Sequence, residues 1–361
     1  MKIYVGATRQ HDGKTINCLG LIAALKKRVS SVGYIKPVGQ RYVEIDGHKI
    51  DEDAVLVKEV YELGGNIIDM SPVAVPRHFT ENYIDNPNPG VLEGQVKDAF
   101  ARVAADKDIV VVEGTGHAGV GSVFDMSNGR VASMLGCKAI IISSGGIGQP
   151  IDEIMMNKAT FDANGVEILG VIINKVEEAK YDKVKSYVTR GCARNGLEVL
   201  GVLPYRSLLS SPTIEHLLKD LNGTLLSGEQ GLKNLAREKV VGAMPPHEAL
   251  TYFTRDTLLI TPGIRDDLIL AAMSKSIIEA HEKCIAGMIL TGGTPPQPVI
   301  LDLLAKTDIP VVMVNEDTFS VAAKVSKLMV KVRPSDSDKI ALAEDTVEEY
   351  VNVERILEKL K

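Results

Sequence analysis

At 361 residues, 45% hydrophobic and 24% charged, the chain exceeds the ~250 to 300 residues at which a single core stops growing, so two domains are expected. Its net charge of −6, 4% aromatic content and lack of tryptophan argue against a nucleic-acid partner, and no apolar run approaches the ~18 residues that span a bilayer. Cys18, Cys137, Cys192 and Cys284 are scattered without Cys-x-x-Cys spacing, which argues against a disulfide framework and for reduced, mostly buried thiols.

Met1 leads directly into a strand pattern that leaves no room for a signal peptide, so a cytoplasmic location is expected. Strands are expected near 2–5, 31–35, 108–112, 139–143, 169–173 and 199–203, with helical patterns between them. That alternation marks a mostly parallel sheet with helices on both faces. After Pro204 it breaks, and Ser210-Ser211-Pro212 with Gly223, Gly228 and Gly231 marks a junction. A smaller α/β alternation follows, with strands near 240–243, 257–260, 287–290 and 310–314. Val347, Tyr350, Val351, Val353, Ile356, Leu357 and Leu360 recur at near-helical spacing, so 346–361 is expected to close the second domain as an amphipathic helix. The expected divisions are 1–208, a linker over 209–236, and 237–361.

The first strand runs into Gly6-Ala7-Thr8-Arg9-Gln10-His11-Asp12-Gly13-Lys14-Thr15 and then a helix rich in Leu19, Leu21, Ile22 and Leu25. This is the setting of a phosphate loop. Glycine lets backbone amides face phosphate oxygens, the helix N-terminus adds positive potential, Lys14 reaches the β and γ phosphates, and Thr15 holds magnesium. Thr8 departs from the G-x-x-x-x-G-K-[ST] pattern, which has glycine there, and a plain strand-to-helix turn is the competing reading.

Glu113 ends an all-apolar strand beside the same crevice, where magnesium is its expected client and turn capping the alternative. Lys36, at the end of the second strand, brings a second ammonium that can neutralise a transferred phosphoryl group. Asp51, Glu52 and Asp53 open the next helix, where the helix dipole alone favours acids. Asn174 closes a later strand; it can present a donor and an acceptor to a purine edge, or simply end the strand.

Together these residues resemble dethiobiotin synthetase and its relatives, the P-loop group that includes cobyrinic acid amide synthases. The family loop G-T-x-T-x-x-G-K-T is matched in length by 7–15, with Ala7 for the first glycine. Lys36-Pro37-Val38, Asp53-Ala54, Val112-Glu113-Gly114-Thr115-Gly116, Asn174 and Leu200-Gly201-Val202-Leu203-Pro204 match later family segments in order. The resemblance implies Thr8, Gly13, Lys14, Thr15 and Asn174 as contacts to ATP, Lys14 and Lys36 as catalytic, and Thr15, Asp53 and Glu113 as magnesium ligands. Gln10, Gln40 and His117 replace smaller or hydroxyl residues at the family's substrate-facing positions, so the biotin-pathway substrate is not expected.

The second half resembles the DRTGG domain through Val241-Gly242-Ala243-Met244, Ile260-Thr261-Pro262-Gly263-Ile264-Arg265-Asp266-Asp267 and Leu290-Thr291-Gly292-Gly293. The overall fold expected is a P-loop NTPase-type sheet followed by a smaller α/β DRTGG domain, as in the N-terminal region of long bacterial phosphate acetyltransferases. Acetyl transfer is not expected, because in that family the transferring domain follows the DRTGG domain and this sequence ends at Lys361. Two functions stay open. One is an ATP- and magnesium-dependent regulator or sensor, forming a homo-oligomer through the DRTGG domain. The other is an ATP-dependent ligase acting on a small carboxylate. Glu177, three residues after Asn174, keeps guanine open as the base.

Overall fold

The computed structural model describes residues 1–278, 284–328 and 331–361. They divide into two compact units, one comprising Met1–Arg206 with Val332–Lys361 and the other Ser207–Lys331. Among the described residues the four cysteines are buried and form no disulfide, and no helix is long and apolar enough to cross a membrane.

The first unit is built on six parallel strands: β1 (Lys2–Ala7), β2 (Val32–Ile35), β3 (Ile109–Glu113), β4 (Lys138–Ser144), β5 (Ile168–Val176) and β6 (Val199–Pro204). Their order across the sheet is β6-β5-β4-β1-β3-β2. Every residue of β3 is buried, as a strand covered by helices on both faces requires. Two apolar clusters lie on opposite faces; Val110 and Val112 join one, Ile109 and Val111 the other. The chain first builds outward from β1 to β2, returns to β3, and then crosses to β4 on the other side of β1. Strand order therefore reverses at β1, and the carboxyl end of β1 is where open α/β sheets form a ligand crevice.

The helices that shape this crevice are α1 (Lys14–Lys26), α2 (Glu52–Tyr61) and α3 (Gly148–Ala163). Asp51 caps α2 by accepting from Asp53 N at 2.9 Å, so the acids at its start have a local structural cause as well.

The closing segment differs from expectation. It forms two helices, α4 (Ser337–Tyr350) and α5 (Val353–Leu360), and both belong to the first unit. Val347, Val353 and Ile356 are buried in the same cluster as Leu21 and Leu25 of α1, so the apolar stripe read from the sequence covers α1. The helix breaks because Val351 bridges Gly201 of β6, after which the Asn352 side chain accepts from Arg355 N at 3.0 Å and starts a new helix.

The second unit holds β7 (Thr224–Ser227), β8 (Glu238–Val241), β9 (Thr257–Pro262), β10 (Ile285–Thr291) and β11 (Val311–Met313), in the order β7-β11-β10-β9-β8. All pairings are parallel except that of β7 with β11. The stretch 209–236, expected as a linker, contains the helix Ile214–Asp220 and the edge strand β7, both within this unit. Ile214 and Leu217 are fully buried against the sheet, which is why the stretch does not behave as a free connector. Strand order from β8 to β11 is monotonic, without the reversal found at β1.

Candidate functional site

After β1 the backbone keeps one more sheet bond, Thr8 N to Ile142 O at 2.8 Å. Position 8 is not among the residues with positive φ, so glycine is not needed there. The chain then turns through His11 (φ 71°) and Gly13 (φ 96°), both left-handed, and enters α1. Glycine is required at 13 on two counts: the positive φ, and a Cβ that would lie 2.3 Å from Asn174 Nδ2.

The turn is braced from within by Asp12, which is buried. Its carboxylate accepts from Arg9 N at 2.7 Å, from Thr8 Oγ1 at 2.7 Å and from Ser144 Oγ. Thr8 Oγ1 also lies 3.1 Å from Ser143 Oγ. The Thr8 hydroxyl, expected as a cofactor contact, is thus directed into this brace. Lys14 folds back over the turn, with Nζ donating to Gly116 O at 3.1 Å and lying 3.5 Å from Arg9 O. Burial pulls its pKa below the ordinary lysine value, against the opposing pull of Glu113.

Thr15, Glu113, Lys36 and Asp53 are brought together. Glu113 Oε1 accepts from Thr15 Oγ1 at 2.9 Å, and Oε2 accepts from Tyr34 OH at 2.8 Å. Lys36 Nζ is bonded to Asp53 Oδ2, sits 3.0 Å from Asp51 Oδ1 and 3.8 Å from Glu113 Oε1. All four charged side chains are buried. Burial works against the Lys36 ammonium, but Asp53, Glu113 and Asp51 outweigh it and hold its pKa above the ordinary lysine value. Burial likewise lifts Glu113 and Asp51 above the usual carboxylate range, against the pull of Lys36. Three carboxylates thus face one ammonium within this cluster. Among the described residues, no group of three or more histidine, cysteine or acidic side chains has a geometry that could hold a metal by itself.

Asn174, at the end of β5, lies beneath the turn. Its Nδ2 donates to Asp12 O at 2.8 Å and its Oδ1 accepts from Lys175 N at 2.9 Å. These bonds use one of its two N–H groups and one of its oxygen's two lone pairs, which leaves a donor and an acceptor for a purine edge. Gln10, Gln40 and His117, the positions where substrate-facing residues were expected, are exposed around the crevice loops.

Sequence reading missed four contributors: Asp12, Tyr34, Asp51 and Lys175. Asp12 carried a signal, an acid inside a loop expected to receive anions. The other three are recognisable only once the strands are placed side by side.

In the second unit, Arg265 donates to Gly242 O at 3.3 Å and to Met244 O at 3.1 Å, and pairs with Asp267 at 2.8 Å. Gly292 and Gly293 are both left-handed, and Thr291 Oγ1 lies 2.6 Å from Thr318 Oγ1. The DRTGG-like arginine therefore pins the loop after β8 to the start of the helix Asp266–Ile278.

Comparison with known proteins agrees with this two-part architecture. Residues 1–213 match a family model described as an AAA domain, and residues 216–328 match the DRTGG domain. Phosphate acetyltransferase from Synechocystis sp. is 26% identical over an alignment covering 99% of this chain and 52% of that protein. The enzyme of the same name from Nitratidesulfovibrio vulgaris is 26% identical, with 97% and 50% covered. The chain spans about half the length of the curated relatives it matches. Among solved structures, the MinD cell division protein of Aquifex aeolicus aligns with a TM-score of 0.34 and 14% identity, over 57% of this chain and 82% of that one.

Proposed function

The chain belongs to the AAA domain family matched over residues 1–213, and from that premise we propose that its first unit binds a nucleoside triphosphate with magnesium and acts as a nucleotide-dependent regulator or sensor. The observation that carries this reading is the 2.9 Å bond between Thr15, in the first turn of α1, and Glu113, at the end of β3. It joins the glycine turn to an acidic strand end at the point where strand order reverses, with Lys14 and Lys36 on either side.

The donor set suits magnesium, a hard cation that takes hydroxyl, carboxylate and phosphate oxygens. The threonine hydroxyl and the carboxylates of Glu113 and Asp53 supply such oxygens, and the surplus of buried carboxylates over ammonium groups favours an added cation. Magnesium bound there neutralises β and γ phosphate charge. Lys14 leaves the Gly116 and Arg9 carbonyls to meet phosphate oxygens, while the amides of the 8–13 turn receive the remaining phosphate charge. The DRTGG unit serves assembly or metabolite sensing, and ATP is the proposed nucleotide.

The second reading, an ATP-dependent ligase for a small carboxylate, is favoured by Lys36. Its ammonium lies among acids that a bound cation would engage, which frees it to stabilise a γ-phosphoryl group passing to a carboxylate oxygen as ADP leaves. Phosphate release from MgATP, measured with and without a panel of small carboxylates, separates the two. Tight binding with negligible turnover supports the sensor, stimulation by one acid supports the ligase, and failure of the protein to bind MgATP removes both.

A further inference from the structure

Two consecutive residues at the end of β5 take hold of two consecutive carbonyls in the turn after β1. Asn174 Nδ2 donates to Asp12 O at 2.8 Å, and Lys175 Nζ donates to His11 O at 2.7 Å. β4 lies between these strands, so at ~4.8 Å per strand the two ends are about 10 Å apart. Gly145, the residue after β4, packs closely against the backbone at this end of β5. A Cβ there would lie 2.8 Å from Lys175 O and 2.9 Å from Val176 Cα.

The backbone at both ends of this reach is unusual. His11 (φ 71°) and Lys175 (φ 59°) are non-glycine residues in the left-handed region. That conformation is disfavoured for residues with a Cβ and persists where surrounding contacts over-determine it. Here the two strained residues are bonded to each other. The consequence for the turn follows from peptide geometry: in a trans peptide, C=O and N–H point in opposite directions. Drawing the carbonyls of His11 and Asp12 toward β5 therefore turns the N–H groups of Asp12 and Gly13 the other way. Alternating left-handed residues with such amides form an anion-receiving concavity.

We propose that Asn174 and Lys175 are positioning residues, a two-point clamp that holds residues 11–13 in the form that receives polyphosphate. Asn174 serves the turn through one N–H and one lone pair of its carboxamide. The inference rests on the proposed nucleotide site and adds to it a residue, Lys175, that sets affinity without touching the ligand.

The test is calorimetry of the full chain with two probes, MgATP and magnesium tripolyphosphate, the second having no base. Wild type is compared with Asn174→Ala, Lys175→Ala, Lys175→Arg and Lys175→Gly, each with a thermal melt. Lys175→Ala is expected to weaken both probes by the same factor, about tenfold, as for loss of one hydrogen bond, and Asn174→Ala to weaken tripolyphosphate as well as MgATP. Lys175→Arg, which keeps a donor, is expected to recover most of the affinity.

Lys175→Gly relieves the left-handed strain, so its melting temperature should hold or rise while affinity falls, a divergence that a merely structural role cannot produce. The clamp is overturned if Asn174→Ala weakens ATP but not tripolyphosphate, or if Lys175→Ala and Lys175→Gly bind as wild type does. Wild type binding neither probe would instead remove the nucleotide site itself, and the clamp with it.

Discussion

Thr15 Oγ1 donates to Glu113 Oε1 at 2.9 Å, although 98 residues separate the two in the chain. The same carboxylate accepts from Tyr34 OH through its other oxygen, so each oxygen is engaged by a named donor. Glu113→Gln keeps a carbonyl oxygen for Thr15 and removes the charge. The gain in ATP affinity on adding magnesium should shrink by tenfold or more, as loss of a charged ligand implies, while affinity in EDTA stays level or improves. Calorimetry with and without magnesium measures this. An unchanged magnesium gain would remove Glu113 from the metal set.

Lys14→Ala should abolish measurable triphosphate binding. A hydrogen bond to a charged group contributes ~1.5 to 3 kcal/mol, so two lost phosphate contacts amount to a hundredfold or more. The variant should fold normally, because the ammonium it removes is buried and held at a depressed pKa. Affinity close to wild type would contradict the assignment of the turn.

The direction of that pKa shift gives a pH signature. The folded-state pKa of Lys14 lies below the ordinary lysine value near 10.5. Between the two values the unfolded chain binds more protons at this site, so stability rises with pH across the window and falls back as pH drops through the folded value. Nucleotide affinity runs the opposite way, declining as the ammonium is lost, and the decline begins at lower pH than an ordinary lysine would give. Urea midpoints between pH 7.5 and about 10, with Lys14→Ala as the reference for the stability slope, and calorimetry of the wild type over the same range test both.

Gly20 of α1 faces α4 at close range. A Cβ there would lie 2.3 Å from Val347 Cγ2 and 2.7 Å from Ala343 O, and the backbone oxygen cannot move aside cheaply. Gly20→Ala should lower stability by ~1 to 3 kcal/mol, typical of overpacking, and expose the last thirty residues to protease. A urea midpoint and digestion pattern like wild type's would mean that α4 does not pack this tightly on α1.

Much of this fold and of the candidate site is legible in the sequence because its signals are local. The β-rich runs and the Gly13-Lys14-Thr15 step after a strand carry their own context, and the strand-end positions of Lys36 and Glu113 point both side chains to one edge. What escaped depends on segments far apart. Lys175 matters through His11, 164 residues away, and Asp51 looks like a helix cap until Lys36 is placed beside it. The apolar spacing over 346–361 correctly marked a face to be buried, but such a pattern does not say which surface covers it. The Thr224–Ser227 strand, four partly exposed residues at an antiparallel edge, is too short and too polar in its setting to stand out.

The return of the chain to its first unit at Val332 has a consequence for how the protein is made. Synthesis proceeds from the amino end, so β1 to β6 leave the ribosome well before α4 and α5 exist, and the side of α1 around Gly20 waits uncovered while some 125 further residues are added. The half translated first is the half completed last. A fragment stopping at residue 213, where the AAA domain match ends, would lack Val347, Val353 and Ile356 and expose a sticky apolar surface. Recombinant work on the first unit therefore needs the carboxyl-terminal helices supplied, either in the same polypeptide or spliced directly behind β6.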